Sequence, residues 1–386
     1  MKVLLYYDYL SEIGGVERVM ATHARWLEQA EHDVTLVFNY VSKEAASYAF
    51  LKDRKIQELS TLNFGSEPVK VFASLFGFNR INKFNPDLIV CYSFPSLFVA
   101  RNLKCKKAFY YLPMEFVYYP LKKRWLWAND AKRKVAFLGS LFLAPILKIL
   151  DKIWIRNKLV IANSDFTRKE IKERYDIDSV VSYPPLNSIF RPTKEYHDVL
   201  RKFGISSKFV LTAGRIVPDK KTDWLIKVFS KLKDKSLDFV VAGGISEDYK
   251  KTLLELAKSL GVEKRVKLIG LVDQKELAKL YSACEVFMFA SPEEAFGLVP
   301  IEAMACGAPV VAWNDNAGPN EYVIPGLNGY LAKPYDLDDF AKMVEKILDE
   351  EFKVKNARKI VRSVSKFSEK EQYTHFIKSI QSFSKN

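Results

Sequence analysis

The chain reads as an α/β protein of two Rossmann-like halves, each a parallel sheet covered by helices. Three observations predict this class. Short apolar runs alternate with helical patterns, the alternation occurs twice, and Tyr183–Pro192, interrupted by Pro184, Pro185 and Pro192, separates the two series. A length of 386 residues suits two domains of ordinary size, each able to bury its own core. The expected domains are 1–188, with a C-terminal helix (367–386) packing back onto it, and 189–366.

In the first series Lys2–Tyr7 is a strand, a glycine turn at Ile13–Val16 leads into a helix from about Glu17 to Gln29, and His32–Phe38 is the second strand. Asp87–Cys91, Lys107–Tyr111 and Leu159–Ala162 are further strands, and Ser164 or Asp165 caps a helix carried by Arg168–Tyr175. In the second series the strands are Phe209–Ala213, Asp238–Ala242, Val266–Ile269 and Val286–Ala290. They alternate with helices at Lys221–Leu232, Tyr249–Leu260 and Gln274–Ser282. Leu298–Cys306 is a helix closed by Gly307, Ala308–Trp313 the next strand, and about Glu369–Phe383 a last helix. No repeat at a solenoid period and no low-complexity tract is present.

Apolar residues at 48% and charged residues at 27% are ordinary globular values. The four cysteines (Cys91, Cys105, Cys284, Cys306) lack C-x-x-C and zinc spacings, which fits reduced thiols in a cytoplasmic protein. The N-terminus enters a strand directly, without the length or cleavage site of a signal peptide. The net charge of +14 is uneven: between Arg101 and Val160 fourteen Lys and Arg face only Glu115, Asp130 and Asp151. That window also holds Trp125, Trp127, Trp154 and the apolar stretch Val135–Leu147, too short to span a bilayer. Bases, tryptophans and an apolar stretch together suit a peripheral contact with anionic membrane, and a buried helix with solvated lysines is the other reading. No helix-turn-helix, finger or single-strand aromatic motif supports a nucleic-acid partner.

Ser291–Ala312 sets Glu294 and Glu302 eight residues apart around a strand-to-helix junction with a Phe296-Gly297 turn. In a doubly wound sheet that junction is where ligands bind, beside helix N-termini of partial positive charge. Glutamates at a helix start also serve simply as dipole partners. Gly14-Gly15, between a strand and a helix, lets backbone amides approach an anion. Arg215 and Lys220, five residues apart in a loop after a strand, can grip a diphosphate, Arg through its fork and Lys as a point charge.

Together these residues resemble the family 4 glycosyltransferases of the GT-B fold, in which two Rossmann-like domains set parallel sheets facing across a cleft. The matching residues are Gly14-Gly-Val-Glu-Arg18, Gly214-Arg215 with Lys220, Glu294 and Glu302 with Phe296-Gly297, and Gly318-Pro-Asn-Glu321 before Gly326-Leu-Asn-Gly329. Tyr183-Pro-Pro185 and Gly318-Pro-Asn-Glu321 look most like the mannosyltransferase-like members. The resemblance implies a retaining, metal-independent hexosyltransferase acting from a nucleotide diphosphate sugar, GDP-mannose or a UDP-sugar, on a lipid-linked or glycan acceptor. It implies no cofactor beyond that donor; the thiols and the basic window above give the expected location, cytoplasmic at the inner face of the cell membrane.

By the same resemblance Arg215 and Lys220 neutralise the leaving diphosphate, Glu302 accepts from the ribose hydroxyls and Glu294 holds a hydroxyl of the donor sugar. Amides at Phe296, Gly297 and Leu298 meet sugar or phosphate oxygens, Gly14 and Gly15 approach the phosphates from the first domain, and the segment around Gly270 borders the base. The first domain with the last helix takes the acceptor and the second takes the donor. Many members carry a histidine in the middle of the first domain; here the matching position is Tyr111, with Glu115 nearby, and His23, His32, His197 and His375 are structural or exposed. The strings Asp176-Ile-Asp178 and Asp336-Leu-Asp338 read as surface rather than metal ligands. Two other functions fit the same fold: a transferase with a soluble acceptor, and a non-catalytic partner subunit. A glycosidase would leave Arg215 and Lys220 without a role.

Overall fold

The computed structural model describes residues 1–10, 15–42, 54–59, 81, 83–92, 96, 100, 103–111, 149 and 152–385. Gly14, Glu115, Trp125, Trp127 and the apolar stretch 135–147 lie outside the described residues. The chain divides into two compact units, Met1–Pro185 with Lys370–Asn386, and Leu186–Glu369.

The first unit is a parallel sheet of β1 (Lys2–Leu10), β2 (Asp33–Val41), β3 (Ile56–Glu58), β4 (Leu88–Tyr92), β5 (Lys106–Tyr111), β6 (Leu159–Ala162) and β7 (Val180–Val181), in the order β3-β2-β1-β4-β5-β6-β7. Period-two alternation divides β1 between two cores. Val3 and Leu5 pack with Val19, Met20, Trp26 and Leu27 of α1 (Gly15–Gln29), while Leu4 and Tyr6 pack on the opposite face with Ile89, Phe109 and Val160. All of β4 is buried, which is why it reads as an unbroken apolar run. Helix α2 (Asp165–Tyr175) is capped by Ser164, whose side chain accepts from the Thr167 amide.

The second unit contains α3 (His197–Phe203), β8 (Phe209–Ala213), α4 (Thr222–Lys231), β9 (Asp238–Ala242), α5 (Glu247–Ser259), β10 (Val266–Gly270), α6 (Gln274–Ala283) and β11 (Val286–Met288). It continues through α7 (Leu298–Ala305), β12 (Val310–Trp313), β13 (Gly329–Ala332), α8 (Leu337–Asp349) and α9 (Phe352–Ser363). Its parallel sheet runs β10-β9-β8-β11-β12-β13, so strand order reverses between β8 and β11. The sequence reading does not contain β3, β7, α3, β13, α8 or α9, and it sets the two strands flanking α7 two residues too long.

Tyr183–Pro192 is less of a free linker than its prolines suggest. The Leu186 amide donates to the Phe367 carbonyl (2.8 Å) and Phe190 is buried, so the chain joins the second unit from Leu186, a little before the expected 188/189 boundary. The return crossing falls at Glu369/Lys370, at the start of α10 (Glu369–Lys385), against the expected 366/367. Phe376, Ile377 and Ile380 of α10 enter the core of α1, Gln372 accepts from the Tyr183 amide (3.0 Å), and Lys106 Nζ donates to the Phe383 and Ser384 carbonyls. The two D-x-D strings have structural work. Asp336 caps α8 by accepting from the Asp338 and Asp339 amides, Asp338 pairs with Lys231, and Asp176 ends α2 in a left-handed turn paired with Lys172.

His23 is fully buried beneath this packing. Its ring stacks on Phe376 at 3.8 Å, and Nδ1 shares a 2.8 Å hydrogen bond with the Tyr92 hydroxyl. Nε2 is buried with no acceptor or donor beside it among the described residues. Protonation would bury an unmatched charge, and burial lowers the His23 pKa from 6.5 to about 3. The unfolded chain therefore binds a proton below pH 6.5 that the folded chain refuses, and stability falls as pH drops from 6.5 towards 3. Urea unfolding across that window should show His23→Gln losing less stability per pH unit than the wild type, by up to about 1.4 kcal/mol per unit. Parallel slopes would show that His23 is not held neutral.

Candidate functional site

Reversal of strand order sends the loops after β8 and β11 apart and opens a crevice at the carboxyl end of the sheet, where ligands bind in folds of this class. The loop after β8 begins at Gly214, with φ of +128°, and a Cβ on Gly243 after β9 would lie 1.7 Å from the Gly214 carbonyl oxygen. Only glycine at 243 permits that approach. The loop is then pinned by the Gly214 amide donating to Ala242 and the Ile216 amide to Gly244. A short 3-10 turn, Pro218–Lys220, ends it with Lys220 on the last residue.

From the other side of the reversal come Ser291 and Glu294. Lys220 Nζ lies 2.5 Å from Glu294 Oε2 and 3.3 Å from Ser291 Oγ, and the Ser291 hydroxyl donates to Glu294 Oε2 at 2.8 Å. Both partners of the ion pair keep some solvent contact. Burial raises the Glu294 pKa, but the Lys220 charge and hydrogen bond, the Ser291 hydroxyl and the Arg215 charge outweigh it, so the carboxyl titrates below its ordinary value. Arg215 itself is exposed. The structure thus joins Lys220, Glu294 and Ser291 by direct contacts, with the Arg215 charge near enough to act on the carboxyl.

Three groups from a single segment hold the backbone that carries Glu294. Asp315 accepts from the Glu293 amide (2.8 Å), the Gly318 amide donates to the Glu294 carbonyl (2.8 Å), and the Tyr322 hydroxyl lies 2.8 Å from the Phe296 carbonyl oxygen and 3.0 Å from that of Gly297. Gly318 has to be glycine, because a Cβ there would meet the Phe296 Cα at 2.5 Å. Burial, with the neighbouring Glu294 carboxylate, pushes the Tyr322 hydroxyl well above its usual range, so it remains a donor. Gly297, at φ +81°, turns the chain into α7, and the amides that open the helix at Leu298 have no carbonyl of a preceding turn to bond.

The other expected residues lie apart from this cluster. Glu302, on α7, is buried and lies 3.3 Å from the Tyr281 hydroxyl. Gly270 closes β10 at φ +73°, its carbonyl accepting from the Gly243 amide at 2.7 Å. Phe296 turns its ring into the core against Tyr322 and Phe367, so only its backbone is available to a ligand. Gly15 and Tyr111 belong to the first unit, as the first residue of α1 and the last of β5. A Cβ on Gly15 would meet nothing within 4 Å among the described residues, and none of those demands glycine there. Sequence reasoning missed Gly243, Ser291, Asp315, Tyr281 and Tyr322. Ser291, three residues before Glu294, was the available signal.

Residues 200–367 match the family described as glycosyl transferases group 1, and residues 13–187 match glycosyltransferase family 4. Between them the two matches take in nearly the whole chain outside the C-terminal helix. The chain belongs to the family 4 glycosyltransferases of the GT-B fold. It is 35% identical over 154 residues to the D-inositol 3-phosphate glycosyltransferase of Mycolicibacterium smegmatis, covering 39% of this chain and 35% of that protein. It is 34% identical over 149 residues to the mannosylfructose-phosphate synthase of Agrobacterium fabrum, covering 36% and 33%. The alignments thus span about a third of these two curated relatives. Among solved structures, Anabaena HepE in complex with UDP and glucose superimposes with a TM-score of 0.75 at 19% identity, covering 99% of this chain and all of that one. Sucrose-phosphate synthase from Thermosynechococcus elongatus does so at 0.79 and 19%, covering 99% and 98%. These two likenesses establish the fold.

If Tyr322 holds the Glu294 loop, Tyr322→Phe leaves two buried carbonyls without their donor. Urea denaturation should then show a loss of about 1–3 kcal/mol, and an unchanged midpoint would remove the hydroxyl from that role.

Proposed function

We propose that the chain transfers a hexose, mannose by preference, from a nucleoside diphosphate sugar to a lipid-linked or glycan acceptor, with retention and without a metal ion. The observation that carries this reading is the grouping of Lys220, Arg215 and Glu294 at the strand-order reversal. Two cations beside a partly exposed carboxylate suit a diphosphate joined to a hydroxyl-rich sugar: the cations take the phosphates and the carboxylate takes a sugar hydroxyl. Nucleotide-sugar use is supported by the family and by HepE, whose structure holds UDP and glucose. Mannose is supported by the name of the Agrobacterium relative and by a 32% identical stretch in the Escherichia coli mannosyltransferase WbdA.

In the proposed reaction the bond from the sugar's anomeric carbon to the diphosphate oxygen breaks, and Arg215 and Lys220 stabilise the negative charge gathering there. The acceptor oxygen bonds to the same carbon on the same face, and its proton passes to the departing phosphate. Glu294 orients the sugar, Glu302 accepts from the ribose, the amides at Gly297 and Leu298 meet sugar or phosphate oxygens, and Gly270 borders the base. Gly14 and Gly15 approach the phosphates from the first unit, Tyr111 meets the sugar, and that unit takes the acceptor at the inner face of the cell membrane. A soluble acceptor is the second reading, favoured by relatives named for inositol 3-phosphate and mannosylfructose phosphate.

Glu294→Ala and Lys220→Ala should each abolish transfer from a nucleotide sugar while the protein keeps its far-ultraviolet circular dichroism. Near-normal turnover in either folded variant would refute the assignment.

A further inference from the structure

Residues 352–368, which hold α9, contain six bases and no acid. Lys353 is used internally, donating to the Ser282 and Cys284 carbonyls at 2.7 and 2.6 Å, and Lys366 lies over the Phe367 ring. The other four, Lys355, Arg358, Lys359 and Arg362, are all exposed. At 3.6 residues per turn their spacing sets them on one stripe of the helix, about 10 Å long. None of the four has an acidic partner among the described residues. Elsewhere the unit pairs its helix lysines: Lys202 with Glu276, Lys231 with Asp338, Lys279 with Asp198.

An unpaired stripe of this kind works against its own helix. Like charges three and four residues apart repel, and all four lie within about a Debye length of one another. Lys355 sits in the first turn, where the helix dipole disfavours a cation. The arrangement is relieved by an external array of negative charge. The outer face of a single helix is convex and encloses no individual ion, so it matches a surface that carries many phosphates. Val354, 82% exposed beside the stripe, adds an apolar group suited to a lipid interface and unsuited to a phosphodiester backbone.

We propose that the outer face of α9 docks the second unit on an anionic lipid bilayer through Lys355, Arg358, Lys359 and Arg362, with Val354 entering the headgroup region. This contact uses residues other than those of the basic Arg101–Val160 window, and it does not depend on the transfer reading, because vesicle binding needs neither donor nor acceptor.

Cosedimentation of the full chain with vesicles tests it, comparing phosphatidylcholine alone with phosphatidylcholine containing phosphatidylglycerol. The wild type should bind the anionic vesicles only. Each charge removed from the stripe should lower the partition coefficient about fivefold, and K355Q/R358Q/K359Q/R362Q should lower it by at least about a hundredfold at a melting temperature no lower than that of the wild type. A control, K208Q/K251Q/K258Q/K264Q, removes four exposed lysines outside α9 and should retain most of the binding. Absence of wild-type binding overturns the proposal, as does equal loss in both variants, which would make the effect one of net charge. Undiminished binding of the stripe variant would place the contact elsewhere, and stronger binding to duplex DNA than to vesicles would identify a different partner. If the quadruple variant melts early, the single variants Lys355→Gln and Arg362→Gln carry the same fivefold expectation.

Discussion

Lys220 and Glu294 reach each other from opposite sides of a strand-order reversal, and several close backbone approaches in the second unit serve that meeting. Gly214 and Gly243 allow two strand ends to approach closely enough for the first loop to fold over. Ser291 fixes one oxygen of the carboxylate, while Asp315, Gly318 and Tyr322 fix successive backbone groups beneath it. Because both charges keep some solvent contact, the pair itself adds little to folding stability. Its significance is positional: a carboxylate kept ionised against the cost of burial, with two cations at hand.

The first unit treats a titratable group in the opposite way. His23 is enclosed by Trp26, Tyr92, Tyr110 and Phe376, and burial keeps it neutral. It helps to join α10, from the far end of the chain, to a core assembled from the first strands. One polar group thus stays neutral inside a core and the other stays charged in a loop, and the difference is whether a counter-charge lies within reach.

The sheet strands were legible because they are buried on both faces and so appear as short apolar runs; β4, β8 and β9 are buried throughout. Strand β13 was not, since it is four residues long and begins with Gly329, which is there because a Cβ would lie 1.9 Å from the Val310 carbonyl oxygen. Helix α9 carries so many bases that its periodic buried positions are sparse, only Phe352 and Ile360. Arg215, Lys220, Glu294 and Glu302 could be singled out as charged groups at loops and helix starts. Gly243, Asp315 and Tyr322 could not, because each acts on a backbone atom of another segment and local pattern says nothing of that. Asp336, read as surface, caps a helix whose existence was itself missed.

The central claim is that the Lys220–Glu294 cluster recognises the diphosphate of a nucleotide sugar. Thermal unfolding with nucleoside diphosphate sugars, against the corresponding nucleosides, tests it most directly, because a ligand that binds only the folded state raises the melting temperature. The account predicts a shift with at least one diphosphate sugar, none with its nucleoside, and loss of the shift in Arg215→Ala. A nucleoside shift equal to that of the diphosphate sugar, or a full shift in the variant, would contradict it.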